Sequence, residues 1–428
     1  MRVGFHPPST LCSIWLLLPR GNFAAGNNAG HTESLLSWLR SKGGLFHDNL
    51  EIRRAETSDP NSQMGVFATD TIDAKELIID VPKSALFKPS AAEGSGSGSG
   101  KQYCKNVRGL ASELRRGVES EYAPYMNYLL ETHSPGQLPS AWSEAGKALL
   151  LEVLGEVLGE NKHGHILPPL NPFDLITEKW YMDCDGSDDD TEKQAALMMV
   201  QHEWDGLMIP VFDIMNHRNG RSLNTESSSA KKGPGLQVRT SRDIKAGEEI
   251  YTTYSSCKDC GFRRSMYGTA DYLRDYGFVE NYPQRWIFPN QQVSFEVDSV
   301  YDENGVATDD FELTNWITTR ISSQEGIESL EKEYGRLVAI GETTLSSCDA
   351  AVPDKEWNTI RDYHKSMVLA LPFAINRATE IGTYDRYVDL NIYPGNIYKD
   401  ADYSDNTCEM DFYPWTDEVS MNLVTSYF

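Results

Sequence analysis

Three stretches of the chain carry the residues best suited to bind a ligand or to act on one. They cover residues 63–72 with 76–82, residues 209–217, and residues 241–254 with 273–278. The groups that stand out within them offer backbone, amide, imidazole and phenol contacts: Gly65, Asn216, His217, Tyr254 and Tyr276. The stretches therefore supply hydrogen-bonding and aromatic groups, and their pattern contains no dedicated carboxylate base.

Taken singly, each of these features also has an ordinary structural interpretation. Gly65 fits a turn, and Asp213 and Asn216 fit the capping of a turn. Tyr254 and Tyr276 fit half-buried core tyrosines with a polar end. Only the combination and order of the stretches favour a function.

Two other features could hold a metal, and their spacing argues against it. Cys257 and Cys260 form one CxxC, but no second CxxC or Cys/His pair completes a zinc site, so a loop or a redox pair remains open. The acidic stretch 183–192 departs from the calcium-loop pattern, since Asp188 replaces the glycine and Gln194 the closing glutamate. We expect no metal site.

Together, and in this order, the motifs resemble the SET-domain protein methyltransferases. The resemblance rests on Asn216-His217 within Asp-Ile-Met-Asn-His, on residues 242–250 reading Arg-Asp-Ile-Lys-Ala-Gly-Glu-Glu-Ile, and on Tyr254. Tyr-Gly-Phe at 276–278 and Trp142 narrow it to the split-SET class, typified by the Rubisco large-subunit lysine methyltransferase and the actin-histidine methyltransferase. The resemblance covers about residues 33–290, and it extends to the C-terminal part of the chain by pattern alone.

The resemblance implies an α+β fold and a methyl transfer. The fold is a SET β-fold with a pseudoknot, split by a helical insert and followed by a C-terminal helical domain that binds the substrate. The cofactor is S-adenosylmethionine, and the acceptor is a side-chain nitrogen of a protein. Lysine is the expected acceptor, with a substrate outside the histones favoured.

The resemblance also assigns the cofactor-binding residues. Asn216 would bind the amino-acid end of the cofactor, His217 would meet the adenine through its main chain, and Phe278 would pack on the adenine. The loop that holds the methionine moiety consists of Ser62, Gln63, Met64 and Gly65.

The same resemblance makes Tyr254 the central catalytic residue and Tyr276 a second wall of the acceptor channel. The Tyr254 hydroxyl would hydrogen-bond the target nitrogen. A lysine must first lose its proton, and both a desolvated channel and the cationic sulfonium lower the lysine pKa from its usual value of about 10.4. Asp213 would order the crossing of the two segments of the pseudoknot.

Two positions depart from the family pattern. His202 stands near the place of an arginine that binds the cofactor carboxylate, and histidine is a weaker, pH-dependent partner for an anion. Gln63 replaces the first glycine of Gly-x-Gly. These departures keep open a catalytically inactive SET-fold binding protein, and a histidine acceptor is a further alternative.

Periodicity places the motifs on two β-rich segments separated by helices. Strands are expected near 51–55, 66–69, 77–81, 207–212, 236–240 and 249–253, and Ser140 is expected to cap a helix. Helical stripes recur near 327–341 and 357–371. The predicted parts are 1–31, a leader or disordered tail; 32–99, the first SET part; 100–205, the helical insert; 206–290, the second SET part; and 291–428, the helical substrate-binding domain with an irregular tail.

Composition limits the class of partner. The 428 residues contain 63 Asp and Glu against 39 Lys and Arg, a formal charge of −24. Nucleic-acid binding needs clustered cations, so we expect no nucleic-acid partner, whereas an acidic surface would attract a basic protein. Seven cysteines are sparse and odd in number, which argues against a disulfide framework. We expect a monomer.

The N-terminal segment leaves the compartment open. Its apolar run at 11–18 is far too short to span a bilayer, which needs roughly 20 residues, and no later segment is a membrane span by pattern. The run fits a targeting leader or a disordered tail. The protein is expected to be cytoplasmic, or plastid or secretory if the run is a leader.

Overall fold

A computed structural model describes most of the chain between residues 28 and 384. The described ranges are 28–56, 62–87, 99–133, 136–155, 176–204, 206–228, 230, 233–254, 267–288, 293–303, 305–316, 324–346 and 351–384. Cys257, Cys260, the apolar run at 11–18 and the tail after residue 384 lie outside them.

Helices and strands alternate along the described chain. The helices are α1 (Asn28–Ser41), α2 (Ser99–Arg116), α3 (Ala123–Thr132), α4 (Glu144–Leu154), α5 (Asp190–His202), α6 (Thr269–Tyr276), α7 (Gln324–Glu342) and α8 (Asp354–Tyr384). The strands are β1 (Leu45–Phe46), β2 (Leu50–Arg54), β3 (Met64–Ala68), β4 (Leu77–Pro82), β5 (Glu203–Trp204), β6 (Leu207–Met208), β7 (Asn216–His217), β8 (Thr225–Ser227), β9 (Gly235–Thr240), β10 (Glu249–Thr252), β11 (Gln284–Phe288), β12 (Val293–Tyr301) and β13 (Ala307–Trp316).

The two predicted SET parts join in shared sheets. One sheet has the order β1-β4-β9-β8 and another the order β2-β3-β10-β7, so each combines strands from before and after the insert. Strand β10 runs antiparallel to β3 and parallel to β7, with Tyr251 opposite Asn216. The predicted assembly of two sheet-forming halves is confirmed, and it brings all three motif stretches together.

Some predicted boundaries differ from the structure. Helix α1 starts at Asn28, inside the segment predicted to be a leader or disordered tail. The strand predicted at 207–212 ends at Met208 and gives way to a 3-10 helix at Phe212–Ile214, entered through Val211 at a φ of 72°. The cap predicted at Ser140 belongs to Ser143, whose Oγ accepts the N–H of Gly146 in α4.

The insert contains a disulfide that the cysteine count did not indicate. Cys104 in α2 and Cys184 before α5 are joined across a sequence separation of 80 residues. Both cysteines are buried. Helices α2 and α5 pack against each other in this part of the fold. A single pair is not a disulfide framework, and it has no recognisable spacing, so the sequence did not predict this bond.

The C-terminal region combines a sheet with helices. Strands β11, β12 and β13 form an antiparallel sheet that the helical prediction did not include. Helices α7 and α8 follow at the predicted stripes and pack against each other, with Leu337 and Ile360 fully buried. The predicted helical region after residue 290 is thus present, with a sheet before it.

The described chain has two hydrophobic cores. The first lies between the SET sheets and helices α1, α2, α3 and α5. The second joins the C-terminal sheet and helices to α4 and Trp142, which belong to the predicted insert. The insert is therefore divided, because the apolar face of α4, with Leu150 and Val153, packs on α7 and α8 rather than on the SET sheets.

The described part of the chain contains neither a membrane-spanning helix nor a metal-binding cluster. No helix among them is long and apolar enough to cross a membrane. No group of three or more His, Cys, Asp and Glu side chains within the same residues is arranged to hold a metal ion.

Candidate active site

Asn216 connects the loop at 62–65 to the second half of the SET fold. Its Nδ2 donates to the carbonyl of Met64 at 2.9 Å and to Oε1 of Glu249 at 2.6 Å. Its Oδ1 accepts from Nε2 of Gln63 at 2.6 Å. The two chain segments, more than 150 residues apart in sequence, meet at this one amide.

Gly65 permits this close approach. A Cβ at this position would lie 2.5 Å from Oε1 of Glu249 and 3.0 Å from Nδ2 of Asn216. Because Cβ contacts below 3.0 Å essentially never occur in proteins, a larger residue would displace the Glu249 carboxylate. The glycine thus leaves room for the contact between Asn216 and Glu249.

The start of the loop is held by Arg54, which the sequence analysis did not single out. Its Nη1 donates to the carbonyl of Ser62 at 2.5 Å, while Oγ of Ser62 accepts the N–H of Glu56 at 2.8 Å. Burial and Asp213 raise the pKa of Tyr128 in α3, and the Arg54 charge partly offsets that rise. A half-buried guanidinium thus stands between the loop and α3.

Tyr254, Tyr276 and Phe278 lie in one aromatic group with His217. The ring centroids of Tyr254 and Tyr276 are 4.7 Å apart, and those of Tyr276 and Phe278 are 6.1 Å apart. Tyr272 stacks on His217 at 4.4 Å. Helix α6 ends at Tyr276, and Gly277 at a φ of 73° turns the chain so that Phe278 rejoins the group.

The environment keeps the two central phenols protonated. Burial, then the charges of Asp213 and Glu249, raise the pKa of Tyr254 well above its usual value of 10. Burial and Tyr254 raise the pKa of Tyr276 in the same direction. The Tyr254 hydroxyl donates to the carbonyl of Met215 at 3.0 Å, which leaves its oxygen lone pairs to accept a further hydrogen bond.

His217 contributes its imidazole as well as its main chain. Nδ1 accepts the backbone N–H of Tyr254 at 3.1 Å, and Nε2 lies 3.1 Å from Oε2 of Glu280. The histidine is buried. The sequence analysis assigned only its main chain to the site and did not name Glu280.

His202 and Asp213 form a second polar group beside α3. Nδ1 of His202 lies 3.4 Å from Oδ2 of Asp213, which also accepts a short hydrogen bond from Tyr125. Oδ1 of Asp213 and Oε1 of Gln201 are buried without a hydrogen-bond partner among the described atoms. Asp213 therefore ties its 3-10 helix to α3 through Tyr125, and Nδ1 of His202, at the end of α5, lies beside this carboxylate without forming a hydrogen bond to it.

The structure places the predicted residues in three adjoining groups: the loop with Asn216, the aromatic group with Tyr254, and His202 with Asp213. Asp213 influences Tyr254 electrostatically, which links the last two. Three further polar residues emerge only in three dimensions: Arg54, Glu249 and Glu280. Glu249 lay inside a motif stretch, but no spacing distinguishes it from the neighbouring Glu248.

The geometry agrees with a family assignment. Residues 63–255 match the family model of the SET domain. Helices α2 to α5 fall inside this match, between β4 and β5, so the region similar to a SET domain is interrupted by helices.

One curated relative and several solved structures are similar to the chain. N-lysine methyltransferase SETD6 of Mus musculus is 23% identical over 292 residues, which are 63% of this chain and 58% of that protein. The chain thus spans less than two thirds of this relative. A structure of Rubisco LSMT bound to sinefungin and monomethyllysine has a TM-score of 0.48 at 13% identity, covering 92% of this chain and 99% of that one. A structure of Rubisco LSMT bound to AdoMet has a TM-score of 0.42 at 13% identity, covering 82% and 96%.

Proposed function

We propose that this chain, whose residues 63–255 form a SET domain, transfers a methyl group from S-adenosylmethionine to a lysine side chain of a protein. The observation that carries the proposal is the parallel pairing of β7, which contains Asn216, with β10, which leads into Tyr254, whose ring lies 4.7 Å from that of Tyr276. The mouse relative is named an N-lysine methyltransferase, and this name supports lysine as the acceptor.

The polar and aromatic groups of the site fit a cofactor with a zwitterionic amino-acid end and a cationic sulfur. The Glu249 carboxylate and Oδ1 of Asn216 offer acceptors to an ammonium group, and Arg54 offers a positive charge to a carboxylate. The rings of Tyr254, Tyr276 and Phe278 suit an aromatic base and a sulfonium. When bound, S-adenosylmethionine supplies an electrophilic methyl group.

The chain's own residues would then orient the acceptor amine. The Tyr254 hydroxyl accepts a hydrogen bond from the amine, because its own proton is held by the Met215 carbonyl. The aromatic walls exclude water and so lower the lysine pKa, which favours the neutral nucleophile. Neither phenol serves as the base, since both pKa values are raised.

The protein substrate is proposed to meet the C-terminal region. Strand β13 is the edge strand of its sheet and exposes Asp309, Asp310 and Glu312. These carboxylates, within a chain of net charge −24, would attract a basic segment that presents the target lysine.

The proposal is tested by incubating the full chain with labelled S-adenosylmethionine and a basic protein fraction, followed by mass-spectrometric mapping of the product. We expect label on lysine. Tyr254→Phe should lower turnover by about a hundredfold because the amine loses its orienting partner. Tyr301→Phe, in the C-terminal sheet, is the matched control and should retain normal turnover.

The outcomes separate the alternatives. Label on histidine would replace the acceptor while keeping the reaction. Cofactor binding without any label transfer would favour the inactive binding protein. Equal turnover of Tyr254→Phe and wild type would remove Tyr254 from the mechanism.

A further inference from the structure

We propose that Glu280 is a positioning residue for Tyr254 and acts through the His217 imidazole. The inference rests on the proposed function, because it assigns Tyr254 the orienting role in methyl transfer. The structural part of the proposal concerns which nitrogen of the His217 imidazole carries the proton, and it can be tested without measuring turnover.

Glu280 and His217 form a buried pair within the protein. Their side chains are only 1% and 2% exposed, and Oε2 of Glu280 lies 3.1 Å from Nε2 of His217. Burying a carboxylate is costly unless its oxygens are hydrogen-bonded. A buried charge at this place therefore needs donors aimed at it.

The structure provides those donors from three segments. Oγ1 of Thr269, at the start of α6, donates to Oε1 of Glu280 at 2.8 Å. Nδ2 of Asn219 lies 3.3 Å from Oε2, and the backbone N–H of Arg285 lies 3.4 Å from Oε1. These three groups donate to both oxygens of Glu280, so the position requires an acceptor at each oxygen.

This acceptor fixes the tautomer of His217. A neutral imidazole carries one proton, and the other ring nitrogen accepts. Nδ1 faces the backbone N–H of Tyr254 at 3.1 Å, so Nδ1 must be the acceptor and Nε2 must carry the proton. Nε2–H then donates to Glu280, and the opposite tautomer would place two protons face to face at Nδ1.

Tyr254 is consequently held at both ends. Its backbone N–H is bound by His217, and its hydroxyl is bound by the carbonyl of Met215, two residues earlier on the same segment. Glu280 also anchors the start of α6 through Thr269, and α6 ends at Tyr276. One carboxylate thus sets the relative placement of the two tyrosines of the acceptor channel.

The test combines a spectroscopic and a kinetic measurement on the full chain. Nitrogen-15 NMR of histidine-labelled protein identifies which ring nitrogen carries the proton. Turnover and S-adenosylmethionine affinity are measured for Glu280→Gln, His217→Asn and the double variant. Glu113→Gln is the matched control, since Glu113 is also buried and hydrogen-bonded, in α2.

We expect the Nε2–H tautomer in the wild type and a shifted Nε2 resonance in Glu280→Gln, because the Nε2–H proton loses its charged acceptor even where the amide oxygen replaces it. Turnover of Glu280→Gln should fall about ten- to hundredfold with little change in cofactor affinity, because only alignment is lost. Asparagine at 217 keeps an acceptor for Tyr254 without needing Glu280. In that background Glu280→Gln should change turnover by no more than about twofold.

Three results would overturn the proposal. They are a proton on Nδ1 of His217 in the wild type, unchanged turnover in Glu280→Gln, and an equal loss of turnover from Glu280→Gln in the wild-type and His217→Asn backgrounds. If the wild type transfers no methyl group but shows the Nε2–H tautomer, with its resonance shifted in Glu280→Gln, the linkage stands and the proposed function fails. The two failures are therefore distinguishable.

Discussion

The Asn216 amide has protein partners at both ends, Gln63 on its oxygen and Met64 and Glu249 on its nitrogen. A cofactor that uses this amide therefore exchanges a hydrogen bond instead of adding one. Exchanged hydrogen bonds contribute little net free energy, whereas charged partners contribute more. The charged neighbours Glu249 and Arg54 consequently carry much of the expected affinity.

Arg54 gives the first residue-scale prediction. Arg54→Gln should weaken the binding of S-adenosylhomocysteine by about 1–3 kcal/mol, because a charge-assisted contact to the cofactor carboxylate is lost. Isothermal titration calorimetry measures the change. The expectation also explains how a chain with His202 in place of the family arginine can bind the cofactor.

Arg53→Gln is the control for Arg54. Arg53 is the next residue on β2, but it lies over the Phe67 ring and pairs with Glu51. It should bind the cofactor as the wild type does. Equal affinity of Arg54→Gln and Arg53→Gln would exclude Arg54 from the pocket.

His133 predicts a pH dependence of stability. Burial and the neighbouring His202 lower the pKa of His133 to about 4, against 6.5 for the ordinary side chain. Between these pH values the unfolded chain binds more protons than the folded chain. The free energy of unfolding therefore rises with pH, and this contribution of His133 is lost as the pH falls from 6.5 toward 4. His133→Gln should remove up to about 3 kcal/mol of this dependence.

Denaturant unfolding at pH 5 and pH 7 measures the effect. The wild type should lose more stability than His133→Gln on going to pH 5. Parallel losses in the two proteins would show that His133 does not carry the dependence.

At the scale of elements, helix α4 is joined to the C-terminal region by specific contacts. Glu356 in α8 accepts from the backbone N–H of Ser143 at 3.0 Å and from its Oγ at 2.6 Å. Arg336 in α7 donates to the carbonyls of Glu152 and Val153 at the end of α4. Both ends of the helix are thus capped by the C-terminal helices.

Glu356→Ala should lower the free energy of unfolding by about 1–3 kcal/mol, because the half-buried donors of Ser143 lose their acceptor. Asp362→Ala, at an exposed position on the same helix, should change it by less than about 0.5 kcal/mol. Chemical denaturation compares the two. Equal stability of both variants would mean that the Ser143 contact does not hold the regions together.

Periodicity predicted the helices and strands that have one apolar face. Helix α7 and strands β2, β4, β9 and β10 were expected close to their observed bounds, whereas α8, expected near 357–371, continues to Tyr384. Strands β11 to β13 were not predicted, because the exposed positions of β13 leave little apolar contrast. The division of the insert was also not predictable, since an apolar face on α4 does not specify which core it joins.

For the site, sequence motifs could place Asn216, His217, Tyr254, Tyr276 and Phe278 together. The motifs could not indicate the partners of these residues. Glu280 lies 63 residues from His217, and Arg54 precedes its loop by eight residues. Single charged residues at such separations have no pattern of their own, so only the fold reveals them.

At the scale of the whole molecule, the two cores make the C-terminal region part of the folded unit. Trp142, Leu149 and Leu273 pack in the second core together with residues of α7 and α8. Removing residues 291–428 would therefore expose apolar side chains next to α6 and its tyrosines. Substrate recognition by this region is better tested by substitutions on β13 than by truncation.

The central claim is that the amide cluster around Asn216 binds S-adenosylmethionine. The most direct measurement is calorimetric titration of S-adenosylmethionine and S-adenosylhomocysteine into the full chain and into Asn216→Ala. We expect wild-type binding at about micromolar dissociation constants, weakened about five- to hundredfold in the variant. A folded wild-type protein that binds neither compound, or a variant that binds both as tightly as the wild type, would contradict the account.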